Sequence, residues 1–203
     1  MYFEVIIDEG ETPNKCTISP LEFRNDFELI HTRGQKNFAP LRSSILLHPN
    51  GKCLTLLRNS IQPIQGIACI DCVWKRLDPL LQKIASPLPT LAKIPDGFIT
   101  AYPRRSSCNT DPDNGLATIE AIFVAAALLG NWDPTLFEKY YFGRKFIELN
   151  KEKLISFGLE QVQDLSQWPK PPAKPLKNSM QRRIERGKPP TSIFKKKPIA
   201  ILF

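Results

Sequence analysis

The stretch "GIACIDCVWKRLDPLL", residues 66–81, decides how this chain is read. It opens as an apolar strand ending on an acid, Asp71, and from Trp74 the apolar residues take a spacing suited to a short helix, with Pro79 near its first turn. A strand passing into a helix is the unit of an α/β protein, and ligands in such proteins collect at the carboxyl ends of the strands. The same few residues hold two thiols, Cys69 and Cys72, beside the acid and a tryptophan. What that cluster does is the central question.

Outward from it the chain reads as two unlike parts. Residues 1–73 are strand-rich: "YFEVII", "SSILLHPNGK" with a turn at Pro49, Asn50 and Gly51, "CLTLL" and "GIACID" alternate with turn signals, which predicts a small sheet. Residues 74–168 are mainly helical. The strongest helix is "LATIEAIFVAAALLGN", closed by Gly130 and Asn131, and "DPTLFEKYYFG" and "GRKFIELNKEKLISFG" each read as a further helix ended by glycine. Between the strand-rich part and these helices runs "IPDGFITAYPRRSSCNTDPDNGL", a long polar segment of the kind that serves function or stays disordered.

Charge divides the chain differently. The formal net charge is +8 and the pI about 9.3, yet residues 169–203 carry ten Lys or Arg against Glu185 alone. Residues 1–168, with 18 basic and 19 acidic side chains, are close to neutral. Seven of the 19 prolines also fall in 169–203, so this segment is expected to be a flexible basic tail, either an arm for RNA phosphates or a solubilising appendage. No apolar run is long enough for a transmembrane helix, so no membrane partner is expected. The start "MYFEVIIDEGET" has neither the basic region nor the cleavage site of a secretory signal, which makes the expected location cytoplasmic. Five scattered cysteines, Cys16, Cys53, Cys69, Cys72 and Cys108, read as reduced thiols.

The cluster can now be weighed. A zinc reading of Cys69-x-x-Cys72 lacks a second ligand pair, since His31 and His48 stand alone, and no metal is expected. A redox pair opens a helix after a strand, whereas Cys69 lies inside the strand. On an alternating strand Cys69 and Asp71 share one face, with Ile70 and Cys72 on the other, so the thiols are read as packing groups. Asp71 and Trp74 remain as the candidates for chemistry.

These residues carry a resemblance. "IDCVW" (residues 70–74) resembles the D-C-S-W motif of the ribosomal-RNA aminocarboxypropyltransferase family, ribosome-biogenesis enzymes that modify small-subunit rRNA. In the same order "NKCT" (14–17), "ILLHPNGK" (45–52), "LPTL" (88–91), "ATIEAIFVAAALLG" (117–130) and "FGRKFIELN" (142–150) are similar to further motifs of that family, over most of residues 1–157. The related DTW-domain tRNA-uridine aminocarboxypropyltransferases share part of the pattern, and the "FIELN" end favours the rRNA branch. Two departures stand out. Ala117 replaces a serine that could cap the following helix, and the segment "FITAYPRRSSCNTDPDNG" is longer and more basic than its counterpart.

The resemblance implies an α/β, SPOUT-like fold with a C-terminal trefoil knot, and a cofactor-binding role for residues 74–168. It implies S-adenosyl-L-methionine as cofactor and transfer of its 3-amino-3-carboxypropyl group to a uridine or pseudouridine nitrogen, with no metal. It places Thr17, Ile70, Leu91, Ala117 and Ala121 around the cofactor. Asp71 is then a general base toward the nucleobase or an anchor for the cofactor's amino group, the alternative being a cap on the helix at Trp74. Trp74 walls the cofactor pocket or packs in the core, and Glu120 orients its helix. Lys15, Arg104, Arg105, Arg144 and Lys145 are candidate RNA phosphate contacts, or else solvated surface charges. A tRNA-modifying enzyme, a methyltransferase of the same fold and a non-catalytic RNA-binding assembly factor stay open as other readings.

Overall fold

The two most apolar runs of the first half, β1 (Tyr2–Ile7) and β4 (Gly66–Asp71), lie side by side, paired from Tyr2 with Gly66 to Ile7 with Asp71. A computed structural model of the chain describes residues 1–10, 16–57, 64–103, 115–164, 166 and 168–170. The chain divides into two units, Met1–Pro172 and Ala173–Phe203, and the described residues all belong to the first. From residue 171 onward the predicted basic tail lies outside the described residues.

Around β1 and β4 the sheet is completed by β2 (Phe27–His31), β3 (Ile45–Cys53) and β5 (Thr90–Lys93), in the order β2-β1-β4-β3-β5, and every neighbouring pair is parallel. The fold is therefore mixed α/β with a parallel five-stranded sheet. A parallel sheet is covered on both faces, which explains why β4 is buried along its whole length rather than alternately. Phe3, Val5, Ile67 and Cys69 point into the larger core, and Ile6, Ala68 and Ile70 into a smaller one with Leu77, Leu80 and Ile84. The period of two thus places Cys69 and Ile70 on opposite faces, and both thiols of the cluster pack with apolar neighbours.

Several expectations are corrected. Pro49, Asn50 and Gly51 do not close a turn between two strands. Ala92 of β5 pairs with both Leu47 and Lys52, so residues 48–51 bulge out of a single strand. Gly51 is needed where the bulge returns, because a Cβ there would lie 2.4 Å from the Ala92 amide nitrogen. Gly51→Ala is expected to cost about 1–3 kcal/mol of stability through this overpacking; an unchanged urea midpoint would show that β5 yields freely. "CLTLL" is not a strand: after Cys53 the chain makes one helical turn, α1 (Leu54–Leu57). Strands β2 and β5 are additions to the predicted set, and β5 joins the sheet from beyond residue 74.

In the second half, Trp74–Arg76 forms a 3-10 turn leading into the short α2 (Leu77–Leu81). The apolar helix α3 (Thr118–Leu128) is buried on nearly every side, as a core helix with no polar face must be, and Gly130 ends it at φ 89°. Its first turn lacks a side-chain cap at Ala117, as the missing serine predicts. "DPTLFEKYYFG" yields only a 3-10 turn, Pro134–Phe137, started by Asp133, whose carboxylate accepts the Thr135 N–H at 3.0 Å. The amphipathic α4 (Gly143–Ser156) buries Phe146, Ile147, Asn150 and Leu154 and is followed by Gly158 at φ 78°. Trp132 and Trp168 close the core beyond α3, edge to face with ring centres 5.6 Å apart, and both pack on Phe123.

Candidate functional site

The site originates in a divergence of two strands. β3 and β4 pair only through Ile45 with Ile67 and Leu46 with Ala68, after which β3 swings away toward β5. The space that opens at the carboxyl end of β4 is a cavity of roughly 350 Å³. Cys69 and Ile70 of β4 line one side, and Leu47, His48 and Pro49 of β3 the other. Trp74 and Leu77 cover it from one face of the sheet, Thr118 and Ala121 of α3 from the other, and residues 92–98 complete the rim. This is where ligands bind in parallel α/β sheets. Its bulk is apolar, with a few polar groups at fixed points, the composition of a small-molecule site.

Asp71 stands one layer behind the wall. It is buried, and both carboxylate oxygens accept hydrogen bonds: Oδ1 from the Thr118 hydroxyl at 2.6 Å and Oδ2 from the Cys16 thiol at 2.9 Å. Neither bond caps the following turn, which begins at Val73 with no side-chain cap. The helix-cap reading of Asp71 is thereby corrected. Thr118 is the member of this chain of bonds that reaches the cavity surface.

Burial and the neighbouring Asp71 charge push the Cys16 thiol from 9.0 up to about 11, and burial raises Cys69 well above the ordinary thiol range. The unfolded chain releases the Cys16 proton near pH 9.0, whereas the folded chain keeps it to about 11. In that window the unfolded state binds fewer protons, so stability falls as pH rises through it. Cys16→Ser, which keeps a donor toward Asp71 but does not ionise there, is expected to flatten this fall in urea titrations. An identical pH slope in the two proteins would assign the loss to other groups.

Two buried polar residues hold the rim. Glu120, fully buried on α3, accepts from the Thr100 hydroxyl at 2.6 Å, the Ala101 N–H at 2.9 Å, the Ala117 N–H at 2.8 Å and the Tyr140 hydroxyl at 2.9 Å. Asn150 on α4 grips Ile99, accepting its N–H at 2.7 Å and donating to its carbonyl at 2.8 Å. The segment after β5, which supplies the rim, is thus fastened to both long helices. His48 on the opposite wall is fixed at both nitrogens: Nδ1 accepts from the Asn50 N–H at 3.2 Å and Nε2 faces the Asp78 carboxylate at 3.1 Å. Below Trp74, the Arg76 guanidinium lies 2.9 Å from the buried Asp8 carboxylate at the end of β1.

Of the residues singled out in the sequence, Ile70, Trp74 and Ala121 line the cavity, with Asp71 behind Thr118. Leu91 is half-buried on the smaller core, next to the cavity-lining Ala92. Ala117 is buried immediately before α3, and the Thr17 hydroxyl accepts from the Ile119 N–H at 3.4 Å. These three support α3 and β5 rather than face the cavity. Arg144 and Lys145 are exposed on α4, Arg144 paired with Glu148 at 3.3 Å, and neither lines the cavity. Lys15, Arg104 and Arg105 lie outside the described residues. Thr118, His48 and Asn150 were not singled out. Asn150 belongs to the "FIELN" motif, where an amide on the buried face of an amphipathic helix is the available signal.

Among the described residues no group of three or more His, Cys, Asp or Glu side chains is arranged to hold a metal, and no helix is long and apolar enough to cross a membrane. No protein-family model and no curated protein matches the chain. Among solved structures, the fold is similar to that of the SAM-dependent rRNA:acp-transferase Tsr3 from Vulcanisaeta distributa, with a TM-score of 0.56 at 24% sequence identity over 81% of this chain and 85% of that one.

Proposed function

We propose that this chain transfers the 3-amino-3-carboxypropyl group of S-adenosyl-L-methionine to a uridine or pseudouridine nitrogen of small-subunit rRNA during ribosome biogenesis. The observation that carries the reading is the cavity at the parted ends of β3 and β4 with the buried, doubly hydrogen-bonded Asp71 behind its wall. The fold likeness to an rRNA:acp-transferase and the ordered motifs around "IDCVW" support it.

The residues present suit this cofactor. A cavity of roughly 350 Å³ with apolar walls at Ile70, Ala92 and Ala121 accepts an adenine, and a carboxylate behind Thr118 favours a cationic arm. When bound, S-adenosylmethionine would supply a carbon activated by sulfonium, open to a nucleobase nitrogen with 5′-methylthioadenosine as the leaving group. The chain's own task is to position. In this reading Trp74, Ile70 and Ala121 wall the cofactor, while Thr17, Leu91 and Ala117 hold the elements around it. Asp71 acts on the arm's amino group or takes the ring N–H proton. Arg144, Lys145, Lys15, Arg104, Arg105 and the basic tail attract RNA phosphates. A SPOUT-like knotted chain path, a cytoplasmic location and independence from metal belong to the same proposal.

Isothermal titration with S-adenosylmethionine and no added metal tests the first step, and binding is expected. A requirement for stoichiometric zinc would overturn the reading. Mass analysis of rRNA and tRNA nucleosides from a deletion strain tests the second, with loss of an aminocarboxypropyl-modified rRNA nucleoside expected. Loss of a methyl group would make the chain a methyltransferase, loss from tRNA would move the substrate, and RNA binding without cofactor binding would leave an assembly factor.

A further inference from the structure

We infer that the Thr118 hydroxyl is the direct acceptor for a primary ammonium group of the cavity's ligand, and that Asp71 acts through it as a positioning residue. The inference rests on the proposed cofactor reading and assigns the group that senses the cofactor's amino-acid arm. A threonine hydroxyl has one hydrogen to donate and two lone pairs to accept with. The Thr118 hydrogen is committed to Asp71 Oδ1 at 2.6 Å, so what it can offer the cavity is lone pairs alone, polarised by the carboxylate behind them. A ligand acceptor placed there would meet lone pairs, whereas a donor, and above all a charged donor, would be held.

The charge count points the same way. Among the described residues no Lys, Arg or His stands within ion-pair distance of Asp71. Its second oxygen is taken by the Cys16 thiol, a neutral donor. A buried carboxylate with two neutral donors and no cation among the described residues is incompletely compensated, and a positive ligand group one hydroxyl away completes the arrangement. Cys69, Ala121 and Phe98 of the lining carry no charge, and the Asp96 carboxylate, which also lines the cavity, is paired with Lys93 at 3.2 Å.

The test uses three ligands, one control and two variants of the full chain. S-adenosylmethionine carries the ammonium, the carboxylate and the sulfonium, S-adenosylhomocysteine the ammonium and the carboxylate, and 5′-methylthioadenosine none of them. Decarboxylated S-adenosylmethionine, which keeps the ammonium without the carboxylate, is the control: in Thr118→Val it is expected to weaken to the same degree as S-adenosylmethionine, an unchanged affinity for it assigning the loss to the carboxylate and overturning the inference. Thr118→Val, nearly isosteric, is expected to weaken the first two by a similar factor of about ten or more and to leave the third unchanged; Thr118→Ser, which restores the hydroxyl, is expected to recover both. Equal weakening of all three ligands would mark Thr118 as merely structural and overturn the inference. So would unchanged affinities, or a loss confined to S-adenosylmethionine, which would mean that the sulfonium is what Thr118 senses. If the unmodified protein bound none of the three, the cofactor reading itself would fall, a result distinct from each of the others.

Discussion

Asp71→Asn is expected to lower RNA modification by roughly a hundredfold or more while leaving the melting temperature within a few degrees of the parent protein. The amide fills almost the same volume between β4, Cys16 and Thr118, so the packing that holds the end of the sheet survives. What it cannot supply is a negative charge, nor an acceptor at both positions at once. One of the two donors is left facing an NH2 group, and whichever role Asp71 has, base or anchor through Thr118, needs the ionised form. The measurement is single-turnover modification at saturating cofactor beside thermal unfolding of the same preparation. If modification proceeded unchanged, Asp71 would be reduced to a tie between the sheet and α3.

Glu120→Ala is expected to be strongly destabilising, at about 4 kcal/mol, because it removes the shared acceptor of four donors, three of them on buried residues. For a domain of this size that corresponds to a fall in melting temperature of roughly 10 °C. Glu120→Gln keeps the shape and part of the accepting capacity and is expected to fall between the two. The rim also loosens, since Thr100 and Ala101 lose their hold on α3, so cofactor affinity falls with stability. A melting temperature within about 3 °C of the parent would mean that the stranded donors find other partners.

These two residues also mark how far the sequence could be read. Asp71 was visible because it ends an apolar strand, and strand ends are where ligands gather. Glu120 was visible as an acid on an apolar helix, but its four donors come from residues 100, 101, 117 and 140, and no local pattern joins those. The same division runs through the fold. β1, β4, α3 and α4 were legible because burial imposes a period on each. β2 and β5 escaped notice as short, partly exposed strands at the two sheet edges, and the strand order depends on pairings between distant residues. At residues 49–51 the turn chemistry was read correctly and its use was not: the chain does leave its line there, but it rejoins the same partner at Ala92. Thr118 went unremarked for a related reason. Its neighbour Ala117 lacks a hydroxyl, while the residue that lines the cavity and bonds Asp71 sits one position on, and only the packing of α3 against β4 reveals which of the two does so.

The placement of the tryptophans gives the protein two separate optical reporters. Trp74 stands half-buried in the cavity wall, whereas Trp132 and Trp168 are in contact with each other against Phe123, their ring N–H groups without a hydrogen-bond partner among the described residues. The three are the chain's full complement. A ligand entering the cavity therefore perturbs the emission of Trp74 directly, while the perpendicular pair, half-buried against the larger core, changes signal when that core opens. With Trp74→Phe as a blank, occupancy and unfolding can be followed by fluorescence in one unlabelled sample.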